Sequence, residues 1–394
     1  MAAHNRQLRL RGPKVRIVHV VATGQRRGAE LFAVDLVGEL DRLGIDQHVA
    51  LLHAGFDGQT TFEAPVTVLR SKGFDLPGFR MDPGRLKDLR ISLGSHQPDI
   101  VQAHGGEAFK YSIAALAGQA VPVVYRRIGA TPRRVHRGVR RAAHGWMMRR
   151  AARVVAVAEA VRRETIDIFR VGPNHVVTIP RGIDSRRLVS TRDRGSVRRD
   201  LGIGPDDPII LSLGALTPEK NPLDHLVVTR RVVNRMPNAV HLFAGEGPLH
   251  GELADTVRRL AMEDHVRLLG NRADVGDLIS ASDVMILASE SEGMPGCLIE
   301  AGMVGIPVAA YDVVGVPEIV VDGKTGFLVP PGNTDVLAER TLALLSDREK
   351  RRLMGAAAQR ICSARFDIRA VAARYLEEYG ELVDAARLGH ESGT

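Results

Sequence analysis

Three side chains in the second half of the sequence have the types and spacing to do chemistry together. Glu292 and Glu300 stand with seven residues between them in Ser289-Glu290-Ser291-Glu292-Gly293-Met294-Pro295-Gly296-Cys297-Leu298-Ile299-Glu300-Ala301. The apolar run 284–287 before them reads as a buried strand, the Gly/Pro stretch as a loop, and residues from about 296 as a helix. A carboxylate only accepts hydrogen bonds and takes two vicinal hydroxyls at once. Beside the free N–H groups of a helix start, such a pair suits a ligand with a sugar at each end and phosphates between. Read blandly, Glu292 is a solvated loop residue and Glu300 favours the helix dipole. Lys220 is the third group, in Gly214-Ala215-Leu216-Thr217-Pro218-Glu219-Lys220-Asn221-Pro222. A cation at a helix start opposes the dipole, so a phosphate ligand gives it a purpose that an ordinary surface lysine lacks.

The elements that must position these groups are legible as compact apolar runs of four to seven residues. In the first half they lie at 15–21, 48–52, 100–103, 121–125, 154–157 and 176–179. In the second they lie at 209–213, 240–244, 266–269, 284–287, 308–310 and 326–329. They lack polar alternation, as strands covered on both faces do. Segments such as 29–43, 222–235 and 334–345 carry apolar residues at helical spacing. The alternation predicts α/β architecture with two doubly wound, Rossmann-like domains. We place the first domain at 1–187 and the second at 188–367. A helix within 368–394 packs on one of them, the N-terminal domain being the favoured host.

Composition narrows the class. The 394 residues carry 54 Lys plus Arg against 46 Asp plus Glu, a net charge of +8, which suits anionic partners. Two cysteines, Cys297 and Cys362, exclude a disulfide scaffold and a four-thiolate zinc site. Aromatic residues make up 4%, without interleaved basic motifs, so no nucleic-acid partner is expected. No run approaches the roughly 18 apolar residues of a membrane span, and Arg16 and His19 interrupt the first apolar run, so a cytoplasmic protein is expected. The basic segment 133–153, with Trp146-Met147-Met148, reads either as a surface helix packed on the sheet or as a peripheral contact with an anionic membrane face. The turn Gly24-Gln25-Arg26-Arg27-Gly28-Ala29-Glu30 departs from Gly-x-Gly-x-x-Gly, which argues against a nicotinamide or flavin site.

From about Val15 to Tyr379 the sequence resembles glycosyltransferase family 4, retaining enzymes of GT-B fold that use nucleotide-sugar donors. The resemblance rests on Gly28-Ala29-Glu30, Ile179-Pro180-Arg181-Gly182-Ile183-Asp184, Gly245-Glu246-Gly247-Pro248 and Ala281-Ser282-Asp283. It rests further on the glutamate pair, Gly305-Ile306-Pro307-Val308, Gly315-Val316-Pro317-Glu318 and Asp322-Gly323-Lys324-Thr325-Gly326. It implies a cleft between the two domains, the first for the acceptor and the second for the donor. There Glu292, with Gly293 and Met294 N–H groups, would hold the transferred sugar, and Glu300 the ribose. Lys220 would hold the diphosphate, Gly28 would let the first-domain turn approach it, and the base would sit near Asn271 and Arg272. Lys220 and Glu292 would thus be the catalytic residues, with a UDP- or GDP-sugar as co-substrate and neither metal nor cofactor. The acceptor would be a hydroxyl of a glycan, a lipid-linked sugar or a small molecule. His104, Arg126, Arg127 and Arg181 are acceptor-side or phosphate candidates, against structural or solvated roles. Ala215 stands where the family often has Arg, a gap that Arg181 or Arg27 would fill, and Ile128 stands near where many members have His. The alternatives are a GT-B epimerase or phosphorylase, or a degenerate nucleotide-sugar binder. The loops 55–61, 72–83 and 129–140 would shape the acceptor site.

Overall fold

The computed structural model describes residues 15–24, 28–54, 61–71, 81–129, 131 and 135–391. The chain forms two compact units, one of residues 1–182 with 368–394, the other of 183–367.

The first unit holds a seven-stranded parallel sheet in the order β3-β2-β1-β4-β5-β6-β7. Its strands are β1 (Arg16–Thr23), β2 (Asp46–His53), β3 (Val66–Val68), β4 (Ile100–His104), β5 (Val123–Arg127), β6 (Arg153–Ala156) and β7 (Val176–Thr178). Its helices are α1 (Gly28–Arg42), α2 (Pro83–His96), α3 (Gly106–Ala115), α4 (Gly138–Met148) and α5 (Glu159–Asp167). Ile17 pairs with Ile100 and Val101 with Val123, so β-branched residues face both layers of helices. Only β3 escaped sequence reading: it is a three-residue edge strand whose Val66 and Val68 are exposed, too short for a pattern.

The second unit holds six parallel strands in the order β10-β9-β8-β11-β12-β13. They are β8 (Ile209–Leu213), β9 (Val240–Ala244), β10 (Val266–Leu268), β11 (Val284–Leu287), β12 (Val308–Tyr311) and β13 (Gly326–Val329). Around them lie α6 (Arg194–Asp200), α7 (Pro222–Val233), α8 (His250–Arg259), α9 (Val275–Ala281), α10 (Gly296–Val304), α11 (Thr334–Ser346) and α12 (Arg348–Phe366). Both sheets reverse their strand order once, between β1 and β4 and between β8 and β11. Ligands of open α/β sheets bind at the carboxyl ends of strands where that reversal occurs.

The units divide at Gly182–Ile183, five residues earlier than the expected 187. The short turn Ser185–Leu188 explains the difference, because a Cβ on Gly276 of α9 would meet the Leu188 carbonyl at 2.6 Å. The last helix, α13 (Ile368–Glu391), belongs to the first unit. Ile368, Val371, Tyr375, Tyr379 and Val383 enter the same core as Ile17, Phe32 and Val124. Gly182 permits the return, since a Cβ there would stand 2.7 Å from the Ile368 side chain.

Candidate active site

The reversal in the second unit brings together the two loops that matter, residues 214–221 after β8 and 288–295 after β11. The Glu290 N–H donates to the Glu219 carbonyl at 2.9 Å, which joins them through backbone. Lys220 ends a 3-10 turn, and Asn221, in the left-handed region at φ 49°, then caps α7 by accepting from the Asp224 N–H. Across the gap, the Lys220 Nζ donates to the Glu292 Oε1 at 2.5 Å. Glu292 is buried and Lys220 is 31% exposed, so the ammonium reaches from solvent onto a shielded carboxylate.

Glycines let these loops cross. Gly315, at φ +83°, lies so close to the Glu292 loop that a Cβ would stand 1.8 Å from the Gly293 carbonyl oxygen. A Cβ on Gly245 would meet the Gly214 carbonyl at 1.9 Å, and the Gly245 N–H donates to the Gly270 carbonyl at 2.8 Å. Beside Lys220 a cavity of about 20 Å³, room for about one water, is lined by Ala215, Pro222, His225 and Leu287 among others.

Glu300 lies in the second turn of α10, buried, and accepts from the Arg187 Nη2 at 2.8 Å. Arg187 was invisible to sequence reasoning, because it sits in an Arg- and Asp-rich stretch 113 residues away. Met294 is buried, Gly293 half-buried and Asn271 exposed. Arg272 lends both arms of its guanidinium to Asp274, at 2.8 and 2.6 Å, and this pairing raises the arginine's pKa and lowers the aspartate's.

A second missed feature is a hydrogen-bonded chain beneath Lys220. The Ala288 N–H, first in the Glu292 loop, donates to His225 Nε2 at 2.9 Å, so the His225 proton is on Nδ1. That proton goes to the Ser212 Oγ at 2.5 Å, and Ser212 donates to the His241 Nε2 at 2.8 Å. His241 Nδ1 then donates to Thr229 Oγ1, which passes its own proton to the His225 carbonyl. Every tautomer is determined. Burial, helped by the Lys220 charge, lowers the His225 pKa to about 3, so the chain stays neutral. No sequence spacing announces such a chain.

In the first unit, His104 ends β4 and Arg126 lies one residue from the end of β5, both buried. Gly28 begins α1, and a Cβ on it would stand 2.9 Å from Arg181 Nη1; the glycine admits that guanidinium to the helix start. The Arg126-Arg127 pair is not solvated, as one reading had it: both are buried. Arg127 spends its donors on Glu164, Thr165 and Thr131, which ties β5 to α5. Arg27, most of the loops 55–61 and 72–83, and residues 130 and 132–134 of the loop 129–140 lie outside the described residues.

Two family models match the chain in succession, Glycosyltransferase Family 4 over residues 26–187 and Glycosyl transferases group 1 over 193–361. The chain belongs to glycosyltransferase family 4. It is 28% identical over 230 residues to the N-acetyl-alpha-D-glucosaminyl L-malate synthase of Bacillus anthracis, covering 58% of this chain and 60% of that protein. It is 29% identical over 387 residues to the D-inositol 3-phosphate glycosyltransferase of Kineococcus radiotolerans, covering 86% of this chain and 87% of that one. The chain thus spans less than two thirds of the first relative and most of the second. The crystal structure of Anabaena HepE in complex with UDP and glucose superposes with a TM-score of 0.80, at 23% identity, covering 93% of this chain and all of that one. The GT-B fold of this family 4 member is thereby established. No helix among the described residues is long and apolar enough to cross a membrane.

Proposed function

We propose that the protein transfers a sugar from a UDP- or GDP-activated donor to a hydroxyl acceptor, with retention at the anomeric carbon and without a metal. The observation that carries this reading is the Lys220–Glu292 contact at 2.5 Å at the strand-order reversal of the second unit. In the reaction the bond from the anomeric carbon to the diphosphate oxygen breaks and a bond to the acceptor oxygen forms. The departing phosphate takes the acceptor's proton. Negative charge grows on the diphosphate and positive charge at the anomeric carbon, so a pre-placed cation stabilises the transition state without reorganising. An ammonium has three donors, and the one held by Glu292 leaves others for phosphate oxygens. Glu292, so oriented, accepts from sugar hydroxyls, and Glu300, steadied by Arg187, accepts from the ribose.

The reading draws support from HepE, whose structure holds UDP and glucose, and from the two relatives, one named as a glucosaminyl L-malate synthase and the other as a D-inositol 3-phosphate glycosyltransferase. The test is a panel of UDP- and GDP-sugars screened by thermal shift, followed by product analysis with and without EDTA. Stabilisation by one nucleotide sugar, and an axial linkage from an axial donor, are expected. A product that is an isomerised sugar without a new linkage would identify an epimerase. Binding with neither hydrolysis nor transfer would leave only a nucleotide-sugar binder.

A further inference from the structure

At the strand-order reversal of the first unit, a chain of buried polar side chains ends on a lone pair with nothing to accept. Gln47 Nε2 donates to the Val37 carbonyl at 3.1 Å, so its Oε1 accepts from His19 Nε2–H at 3.1 Å. His19 Nδ1 then carries no proton and accepts from His104 Nε2–H at 3.1 Å. The tautomers follow from this order, and they leave His104 Nδ1 an unprotonated acceptor, buried and without a partner among the described residues. Burial keeps both rings neutral; it lowers the His19 pKa to about 4, and His19 and Arg126 depress His104 further.

Next to it is a cation without an anion. Arg126 is 2% exposed, its guanidinium carbon lies 3.5 Å above the centre of the Phe32 ring, and Tyr375 flanks it. Among the described residues no carboxylate pairs with it, and its Nε has no partner. A ring face returns only part of the cost of taking a guanidinium out of water. Arg181, close enough to add repulsion, makes the arrangement costlier, and the start of the 15-residue α1 beside Arg181 adds donors of its own. The fold therefore holds, side by side, a buried acceptor for one hydroxyl hydrogen and a buried positive charge.

Resting on the glycosyltransferase reading, we propose that His104 and Arg126 recognise an acceptor whose hydroxyl lies next to its own carboxylate or phosphate, a compact hydroxy acid or phosphorylated polyol. His104 Nδ1 accepts the hydroxyl hydrogen and Arg126 takes the oxyanion. Selectivity follows from desolvation: an uncharged polyol leaves the guanidinium as unpaired as before, whereas an anion satisfies it.

The experiment uses the full chain with UDP saturating, so that the diphosphate site is filled. Melting temperatures are recorded with L-malate, glycerol 3-phosphate and myo-inositol 1-phosphate, and with glycerol and myo-inositol as uncharged counterparts. At least one anionic probe is expected to raise the melting temperature where its uncharged counterpart does not and, with the nucleotide sugar that the donor panel identifies in place of UDP, to be glycosylated with a kcat/KM at least tenfold higher. Arg126→Met is expected to lose the anion response and, freed of an unpaired charge, to melt no lower than the parent. Arg126→Lys is expected to keep part of the response. A structural arginine would give the opposite pattern, an Arg126→Met variant that melts several degrees lower with its anion response intact. That result, or equal responses to charged and uncharged probes, or an anion effect abolished by UDP, overturns the proposal. The melt requires no turnover, so an enzyme that consumes no donor would count against the transferase reading alone.

Discussion

The pair Lys220–Glu292 can be interrogated by a double-mutant cycle in which stability and turnover move in different directions. Lys220→Ala strands a carboxylate that is only 8% exposed. Leaving a buried polar group without its partner costs about 1–3 kcal/mol. Because the lysine is 31% exposed and water screens the pair, the lower end, about 1 kcal/mol, applies. For a unit of this size that is a fall of about 2–4 °C in melting temperature. Turnover should suffer more. A charge-assisted contact to the leaving diphosphate is worth about 1.5–3 kcal/mol, or about ten- to a hundredfold in rate when made chiefly in the transition state.

Glu292→Gln removes the charge but keeps an acceptor oxygen, so its stability cost is smaller while sugar binding weakens. In the double variant Lys220→Ala/Glu292→Gln, the stranded carboxylate is gone. Its melting temperature should recover most of the loss, yet its turnover should fall at least as far as that of the worse single variant. Calorimetry and a nucleotide-release assay measure both. If turnover recovers together with stability, the pair is a structural strut and the catalytic assignment of Lys220 is wrong.

Gly315→Ala should cripple donor use and lower the melting temperature, since its Cβ would fall 1.8 Å from the Gly293 carbonyl at a φ of +83°; wild-type donor KM in that variant would contradict the crossing described for these loops. Stability should decline as pH falls from about 6.5 toward 4, because burial lowers His19 and His48 to about 4 and His225 to about 3. The unfolded chain then binds protons that the folded one refuses, at up to about 1.4 kcal/mol per pH unit for each histidine. Urea titrations at pH 7 and pH 5 read this directly, and equal midpoints would refute it. In α4, Val139 and Trp146 are exposed at 85% and 54% among arginines, while Gly145 and Met148 face inward. The full chain should float with phosphatidylglycerol vesicles at low salt and less so as Trp146→Ala; no flotation of either would confine α4 to an ordinary surface helix.

Most of the fold was written in the apolar runs, and the reason is physical. A strand covered on both faces is apolar almost throughout, so β8, β9 and β11, each paired on both sides, coincide with runs read from sequence. The edge strand β3 pairs on one side only, and its two valines stay exposed, so it carries no such signature. The host of α13 was written less plainly. Its stripe of Val371, Tyr375 and Tyr379 fits any apolar sheet face, and the choice is made by the path of the chain, where Gly182 and Ile368 touch.

The site was legible as residue types and obscure as relationships. Sequence motifs put Lys220 and Glu292 on loops after β8 and β11, but not that one donates to the other across 72 residues. The resemblance has Gly28 make room for a diphosphate, and in the structure the Arg181 guanidinium lies 2.9 Å from where its Cβ would stand. The same holds of Gly245, Gly247 and Gly315, whose missing side chains admit the carbonyls of Gly214, Leu216 and Gly293. Asp283 likewise accepts from Arg198 and from the Ile209 N–H, and so fastens α6 to the start of β8. Most of the motif is therefore spent on crossing and fastening backbone. Because those crossings set where the Glu292 loop lies, a substitution at Gly315 should disturb the proposed donor site as surely as one at Glu292, although Gly315 has no side chain with which to hold a ligand.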